Sequence, residues 1–466
     1  VCMSNSTGKL DYKKTLLLGF GFLASSLAWS LYNSLVPVLL EERFMLSTTI
    51  IGAIMTIDNV FGIIFQPLVG TFSDRTFTRY GRRMPWIMVG IPLSALFFFL
   101  IPWAKTLWLM MGFIVCFNLI MSFWRSPVIA LMPDITPRPL RSKANGLINL
   151  MGGIGSIIAF LAGGYLAKLD GSGRLTFGMG SVIMVAALVC LILFVREPVA
   201  DMWRRAQRES VTKRLTAKEF SETYLKDQED AKEIKEMGGV DRKLTVGEKR
   251  SLILLLGAIF FWFCAYNGIE TFFTLFATNT LHVDKGTATI MLTSFSLTFV
   301  AFALPAGMIA SKRGRKKTIV TGLILLLIFL MPMVFINPIM TVFGIDVLNP
   351  ASSMIKQIVV IALLACAGIG WACVNINSLP MVVELASHDK IGRFTGYYYF
   401  FSFAASIVSP ILFGWIRDMT QNYNTLFIYA VICFGLALLC TSFVKHGDVT
   451  DVRATDQEGL STLENM

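Results

Sequence analysis

The sequence predicts an all-α membrane protein with twelve transmembrane helices arranged as two pseudo-symmetric six-helix bundles. Three observations carry that expectation. Of 466 residues, 55% are hydrophobic and only 15% are charged, against about 25% charged in an average soluble domain. Apolar stretches recur along the chain, each past the roughly 18 residues that mark a helix able to cross a bilayer. Two polar motifs also occur once in each half, at matching places.

In chain order the apolar runs lie at 15–40, 49–73, 84–103, 107–132, 142–167 and 174–196, then at 251–279, 287–311, 316–342, 354–384, 393–416 and 424–444. We number them spans 1 to 12. Backbone groups in lipid have no water to bond, so each run must close its hydrogen bonds internally as a helix. Pro37, Pro67, Pro127, Pro305, Pro380 and Pro410 fall inside runs, and membrane helices tolerate them where neighbours or a cavity satisfy the freed carbonyls. The first run continues as a span, so no cleavable signal peptide is expected. The Val1-Cys2 ahead of Met3 reads as a translation artefact. The expected organisation is an N-terminus over 1–14, a first bundle over 15–196, a linker over 197–250, a second bundle over 251–444 and a tail over 445–466.

The net charge of +11 raises the question of a polyanionic partner, and its distribution answers it. The termini and even-numbered loops hold 33 of the 41 Lys and Arg. The odd-numbered loops hold seven: Arg43, Lys105, Lys168, Arg174, Lys285, Lys356 and Arg417. By the positive-inside rule both termini are cytoplasmic. The linker carries 13 basic and 12 acidic residues and reads as a solvated, part-helical connector. The basic excess is topological, and no nucleic-acid partner is expected. The eight Cys have no framework or metal spacing, and seven lie in apolar runs as small hydrophobes. His282, His388 and His446 sit in separate loops or the tail without a Ser/His/Asp or metal arrangement. Neither an enzyme nor a metal or cofactor is expected.

Two coincidences suggest internal duplication. The loop after span 2 reads Gly70-Thr-Phe-Ser-Asp-Arg, then Arg79-Tyr-Gly-Arg-Arg83; the loop after span 8 reads Gly307-Met-Ile-Ala-Ser-Lys-Arg-Gly-Arg-Lys-Lys317, a shortened copy. Asp134 precedes Asn145-Gly146 by the spacing at which Glu384 precedes Thr395-Gly396. A duplicated bundle is the architecture of alternating-access carriers, with the substrate near the bilayer midplane.

The Gly70–Arg83 motif resembles the cytoplasmic signature of the major facilitator superfamily. The longer run from Gln66 to Trp86, and Arg125-Ser-Pro-Val-Ile-Ala-Leu-Met-Pro-Asp-Ile-Thr-Pro137, are similar to the glycoside–pentoside–hexuronide:cation symporters and the related sucrose transporters. That resemblance implies the major facilitator fold and a sugar as substrate. It also bears on the coupling ion. Sodium-using melibiose-type members carry two carboxylates on span 2, one just before the Pro that Pro67 matches. Here those positions are Gly62 and Gln66, which favours protons and leaves sodium as the alternative.

Asp74 ends span 2, followed by Arg75, Arg79, Arg82 and Arg83, while Asp134 and Glu384 close spans 4 and 10 on the same side. Arginine–carboxylate pairs there can form a cytoplasmic gate that closes and parts; the competing reading is anchorage to anionic lipid. Of the charged residues only Asp58, Arg125 and Glu270 fall well inside spans. Each costs about 2.5–3.5 kcal/mol on insertion scales, so each should face a cavity or a partner. They are the expected cation-coupling residues, against the simpler reading of a static ion pair. Sugars need planar hydrogen-bonding groups and ring faces. The substrate-binding candidates are therefore Trp29, Asn33, Asn118, Trp124 and Asn149 in the first half. In the second they are Tyr266, Asn267, Trp371, Asn375, Asn377 and, of three consecutive tyrosines, Tyr398. Interhelical bonding and core packing compete for every one of them. Gly152-Gly-Ile-Gly155 and Gly163-Gly164 read as close helix packing.

The expected activity is proton-coupled symport of a glycoside, a disaccharide or small oligosaccharide, by a monomer in the plasma membrane. A drug/proton antiporter is the alternative, since abundant Met and Phe suit larger apolar cargo, and a sodium-coupled sugar symporter is another.

Overall fold

The computed structural model describes residues 11–76, 78–136, 141–195, 197, 245–342, 353–385 and 391–445. Most of the connector, the first ten residues, the tail beyond Lys445, and His388 and His446 lie outside the described residues. Among those described, twelve helices are long and apolar enough to cross a membrane. Spans 1 to 6 are Tyr12–Phe44, Thr48–Arg75, Met84–Trp103, Leu107–Ile135, Ala144–Leu169 and Arg174–Phe194. Spans 7 to 12 are Val246–Thr280, Lys285–Arg313, Arg315–Val334, Met354–Glu384, Arg393–Thr420 and Thr425–Ser442.

Hydrogen-bonding side chains set several span starts. Thr106 and Asp284 cap spans 4 and 8 through their side-chain oxygens. Span 7 begins ahead of its apolar run because Thr245 and Glu248 form a reciprocal capping box. Where the helices depart from regularity, the cause is local. Span 2 is interrupted at Thr56, whose hydroxyl returns to the Ala53 carbonyl at 2.8 Å. Span 5 widens into a π-turn over Ala159–Gly163. The run expected to be one helix over 316–342 is two, Arg315–Val334 and Ile336–Val342; Pro332 lies one turn before the break at Phe335 and supplies no N–H to the ladder.

The chain forms two compact units. The first comprises Val1–Leu31, Val60–Ala159 and Ser172–Glu233; the second comprises Tyr32–Asn59, Phe160–Gly171 and Ile234–Met466. In the first, Phe98, Phe117 and Phe177 are fully buried, with Phe98 5.1 Å from Phe117 and 4.6 Å from Phe177 between ring centroids. Gly155 lets span 5 lie against the Leu23 backbone of span 1, where a Cβ would strike the carbonyl. In the second unit Phe272 meets Phe413 at 5.0 Å and Phe276 meets Phe427 at 4.8 Å. Gly164 of span 5 and Gly286 of span 8 bring backbones into contact there. Such small-residue seams replace the hydrophobic drive that helices lose in lipid.

Candidate functional site

At the even-loop end of the first unit, the turn into span 3 is tied down by charge. Arg82 and Arg83 both bind Asp134 of span 4, each with its Nε at 3.0 Å. Arg83 also reaches Asp74 and the Ser73 hydroxyl of span 2 and the Gly70 carbonyl at 3.3 Å. Arg82, Arg83 and Asp134 are largely out of water, with exposures of 11%, 5% and 14%, whereas Asp74 is 55% exposed. Arg79 instead lies over the Tyr80 ring at 4.6 Å, and Arg75 is exposed at the end of span 2.

A carboxylate absent from the expected set completes this cluster. Glu197, just past span 6, is buried and accepts the backbone N–H groups of Arg82, Arg83 and Met84 at 2.8, 2.9 and 2.7 Å. It caps the start of span 3, where orphan amides and the helix dipole favour an anion. Burial raises its pKa, with a smaller push from Asp134, and the three amide bonds oppose the shift. Gly81 makes the approach possible: its φ is +117°, and a Cβ there would collide with the Glu197 carboxyl. The second unit repeats the device in brief. Arg315 pairs with Glu384 at 2.5 Å, right after Gly314 at φ +96°.

Of the deep charges, Asp58 sits just past the Thr56 interruption, where its carboxylate accepts the Asn59 amide at 2.6 Å and the Asn59 side-chain N–H at 2.7 Å. Arg125 lies over the Trp29 ring at 5.7 Å, and Trp29 in turn meets Phe117 at 5.9 Å. Glu270 lies one turn after Tyr266 on span 7. Tyr266 is stacked on Trp371 of span 10, centroids 4.4 Å apart and planes 5° apart. Phe263 closes that group edge-on, 5.8 Å from Trp371 and 6.1 Å from Tyr398.

The other expected binding residues divide by what their polar atoms touch. Trp124 is fully buried and donates to Ser94 at 2.8 Å, a packing role. Asn377 is buried and donates to the Cys373 carbonyl at 2.9 Å and the Ala306 carbonyl at 3.5 Å, joining spans 10 and 8. Asn267 donates to its own helix at Phe263, 2.7 Å away. Tyr398 shares a hydrogen bond with Ser378 at 3.0 Å. Asn118 is buried, Asn33 and Asn375 are half-buried and Asn149 is exposed.

At the odd-loop end of the second unit a further set of contacts joins early spans to late ones. Asp418 of span 11 accepts the Thr48 and Thr49 amides at 2.9 and 2.8 Å and the Thr49 hydroxyl at 2.6 Å, capping span 2. Glu41 of span 1 accepts the Tyr423 hydroxyl at 2.5 Å and the Asn279 amide at 3.1 Å, and Glu42 pairs with Lys285 at 2.5 Å. The Tyr423 pKa is raised, first by burial and then by Glu41. Asp284, at the start of span 8, has a lowered pKa: partial burial works the other way but is outweighed by the Thr287 bonds and the Lys168 charge.

The comparison with known families decides the affiliation, since the Major Facilitator Superfamily matches residues 18–284 and 255–464. The chain belongs to the Major Facilitator Superfamily. It is a multi-pass membrane transporter. Among the relatives of this facilitator, an uncharacterized symporter of Synechocystis is 26% identical over 42% of this chain and 39% of its own. The class H tetracycline resistance protein of Pasteurella multocida is 22% identical over 88% of this chain and 90% of its own. The isoprimeverose transporter of Lactiplantibacillus pentosus is 23% identical over 37% and 38%. The chain thus spans about two fifths of the two named symporter and sugar relatives and nine tenths of the tetracycline one. A bacterial homolog of the human lysosomal transporter Spinster shares the fold, with a TM-score of 0.61 and 14% identity over 94% of this chain and 95% of that one.

Two residues of this facilitator escaped the sequence reading, Glu197 and Asp418. Both stand beside an arginine just past or at the end of a span, a pattern that ordinarily marks a solvated terminus. The one usable signal for Glu197 was the Pro198 that follows it and stops any continuation of the helix.

Proposed function

We propose that this transporter carries a glycoside together with a proton by alternating access, in the branch of the glycoside–pentoside–hexuronide and sucrose-type symporters. It works as a monomer in the plasma membrane with both termini cytoplasmic. The observation that carries this reading is the placement of Asp58 beside the interruption of span 2. A carboxylate at a broken transmembrane helix is positioned where freed backbone and side-chain polar groups can take up and release a cation. Arg125 over Trp29 supports the sugar half of the reading, because a guanidinium beside an indole offers planar hydrogen-bond donors next to a ring face. The sugar-transporting relative adds weight on the same side.

In this scheme Asp58, Arg125 and Glu270 link proton and sugar occupancy, and binding both together favours the occluded state. The Arg82–Arg83–Asp134–Glu197 and Arg315–Glu384 clusters brace the cytoplasmic end of each half as it gates. Proteoliposomes loaded with a pH gradient test the proposal. Acid outside should drive uphill uptake of sucrose, maltose or another disaccharide of a panel, and Asp58→Asn should abolish uphill uptake while leaving counterflow. Full coupled uptake by both Asp58→Asn and Arg125→Lys would sink the assignment.

A drug/proton antiporter is the second reading, favoured by the long alignment with the tetracycline resistance protein. Proton-driven extrusion of tetracycline or a dye, without sugar uptake, would select it.

A further inference from the structure

The charged turn that occurs in both units is neutralised in only one of them. In the first unit the arginines after span 2 are met by Asp74, Asp134 and Glu197. The repeat gives the corresponding positions in the second unit. Asp74 stands four residues after Gly70, and Ser311 stands four residues after Gly307. Asp134 corresponds to Glu384, which is engaged by Arg315. Glu197 is the third residue past Phe194, where span 6 ends, and Lys445 is the third past Ser442, where span 12 ends. Where the first unit has two of its acids, the second has a hydroxyl and a base.

Helix packing gathers the resulting surplus of positive charge. Lys316, at the start of span 9, donates its Nζ to the Ser442 carbonyl at the end of span 12, 2.9 Å away. Three residues on, the Lys445 amide donates to the Ser251 hydroxyl of span 7 at 3.2 Å. Lys249 and Arg250 precede that serine and Lys317 follows Lys316, all three exposed. Five cations from three chain segments thus stand around the end of span 12, which packs against spans 7 and 9. Among the described residues none of the five is ion-paired. The acids described at this end are Glu384 and Glu248, and Glu248 is held in the Thr245 capping box.

Sidedness in the bilayer accounts for cations at this end. It does not account for losing acids at the positions where the first unit keeps them. We propose that Lys249, Arg250, Lys316, Lys317 and Lys445 bind the headgroup phosphate of an anionic phospholipid, which supplies to the second unit the negative charge that carboxylates supply to the first. The occupant is a lipid because Ile253, Ile324, Leu439 and Phe443, exposed on the same three spans, offer an acyl chain an apolar surface beside the phosphate. The tail beyond Lys445 is the competing anion, with Asp448, Asp451, Asp456, Glu458 and Glu464, but it brings no acyl chain to that surface. The inference is independent of the cargo. It uses the proposed orientation, which puts the even-loop end in the cytoplasmic leaflet, where anionic lipids concentrate.

The test offers the full chain, in detergent, equal amounts of phosphatidylglycerol and phosphatidylcholine with identical acyl chains, and native mass spectrometry counts the lipids bound. One cation near an anionic surface shifts binding about fivefold, so phosphatidylglycerol should be preferred by at least about that factor. The preference should weaken as salt is raised. Lys316→Gln together with Lys445→Gln should bring it close to parity. Lys249→Gln with Arg250→Gln changes only exposed side chains and should also lower it, which keeps the test decisive if the first pair does not fold. Arg75→Gln with Arg79→Gln, at the same end of the first unit, should leave it unchanged. An equal loss in that last pair would make the preference a property of total charge and overturn the site, as would the absence of any preference. Displacement by a large excess of glycerol phosphate would replace the lipid with a soluble anion. A preference that emerges only after removal of residues 446–466 would assign the cations to the acidic tail and overturn the proposal as well.

Discussion

Asp134 is held by two guanidinium groups at a depth where water reaches little of any of them, whereas the Glu42–Lys285 pair leaves Glu42 47% exposed. The two sites should therefore answer differently to neutralisation. Asp134→Asn takes the anion from Arg82 and leaves Arg83 with Asp74 alone, and should cost about 3–5 kcal/mol of stability. Glu42→Gln should cost less than about 1 kcal/mol. Thermal unfolding of the purified variants measures both. Glu197 makes a pH prediction of opposite sense to that of a salt-bridged acid. Its pKa is raised in the folded protein, so the folded state binds the proton more readily than the unfolded chain. The stability this confers is complete below the ordinary glutamate range and is lost as pH rises through the raised value. Glu197→Gln should flatten that slope, and an unfolding series across pH that keeps the slope in the variant would assign it to another group. The Arg82, Arg83 and Asp134 cluster could be anticipated because charges crowd a short loop. Its keystone could not, because an acid one residue past a helix looks solvated until the chain is seen to return over three amides.

At the level of elements, the twelve helices were legible from their apolar runs alone, since lipid leaves the backbone no alternative. The irregularities were not, because they depend on side chains that return to the main chain or on seams with other helices. The Thr56 hydroxyl on Ala53 and the Gly164–Gly286 contact are of that kind. Both can be tested on their element. Gly286→Val should wedge spans 5 and 8 apart, seen as faster modification of cysteines placed along that seam and slower transport. Gly81→Ala strains a φ of +117° and drives a methyl into Glu197. It should cost about 1–3 kcal/mol, read as a lowered melting temperature, and more than Gly112→Ala, where a Cβ meets open space.

For the molecule as a whole, duplication was readable in the paired loop motifs, and the structure gives it physical content: at Gly81-Arg82 and again at Gly314-Arg315 a positive-φ glycine precedes an arginine that binds the acid ending the span after next, Asp134 or Glu384. The odd-loop contacts have no such signature, because Asp418 stands 370 residues from Thr48, on the far side of the chain from Glu41 as well, and all three are ordinary in type. They should set how often the early and late spans of the second unit stay joined. Asp418→Asn keeps one acceptor and loses the charge at a helix start, a change of about 1 kcal/mol, or about fivefold in population. Hydrogen exchange at Thr48 and Thr49 should accelerate by that factor. Unchanged exchange would mean that Asp418 is not what holds span 2.

The position of Glu197 also bears on how the gene can be divided. If the two six-span halves are expressed as separate polypeptides and left to reassemble, the first must run past residue 197. A fragment stopped at Phe194 would contain every apolar run of its bundle and still lack the anion beneath three amides of span 3. The boundary of a workable half is therefore drawn by a single carboxylate outside the membrane segments.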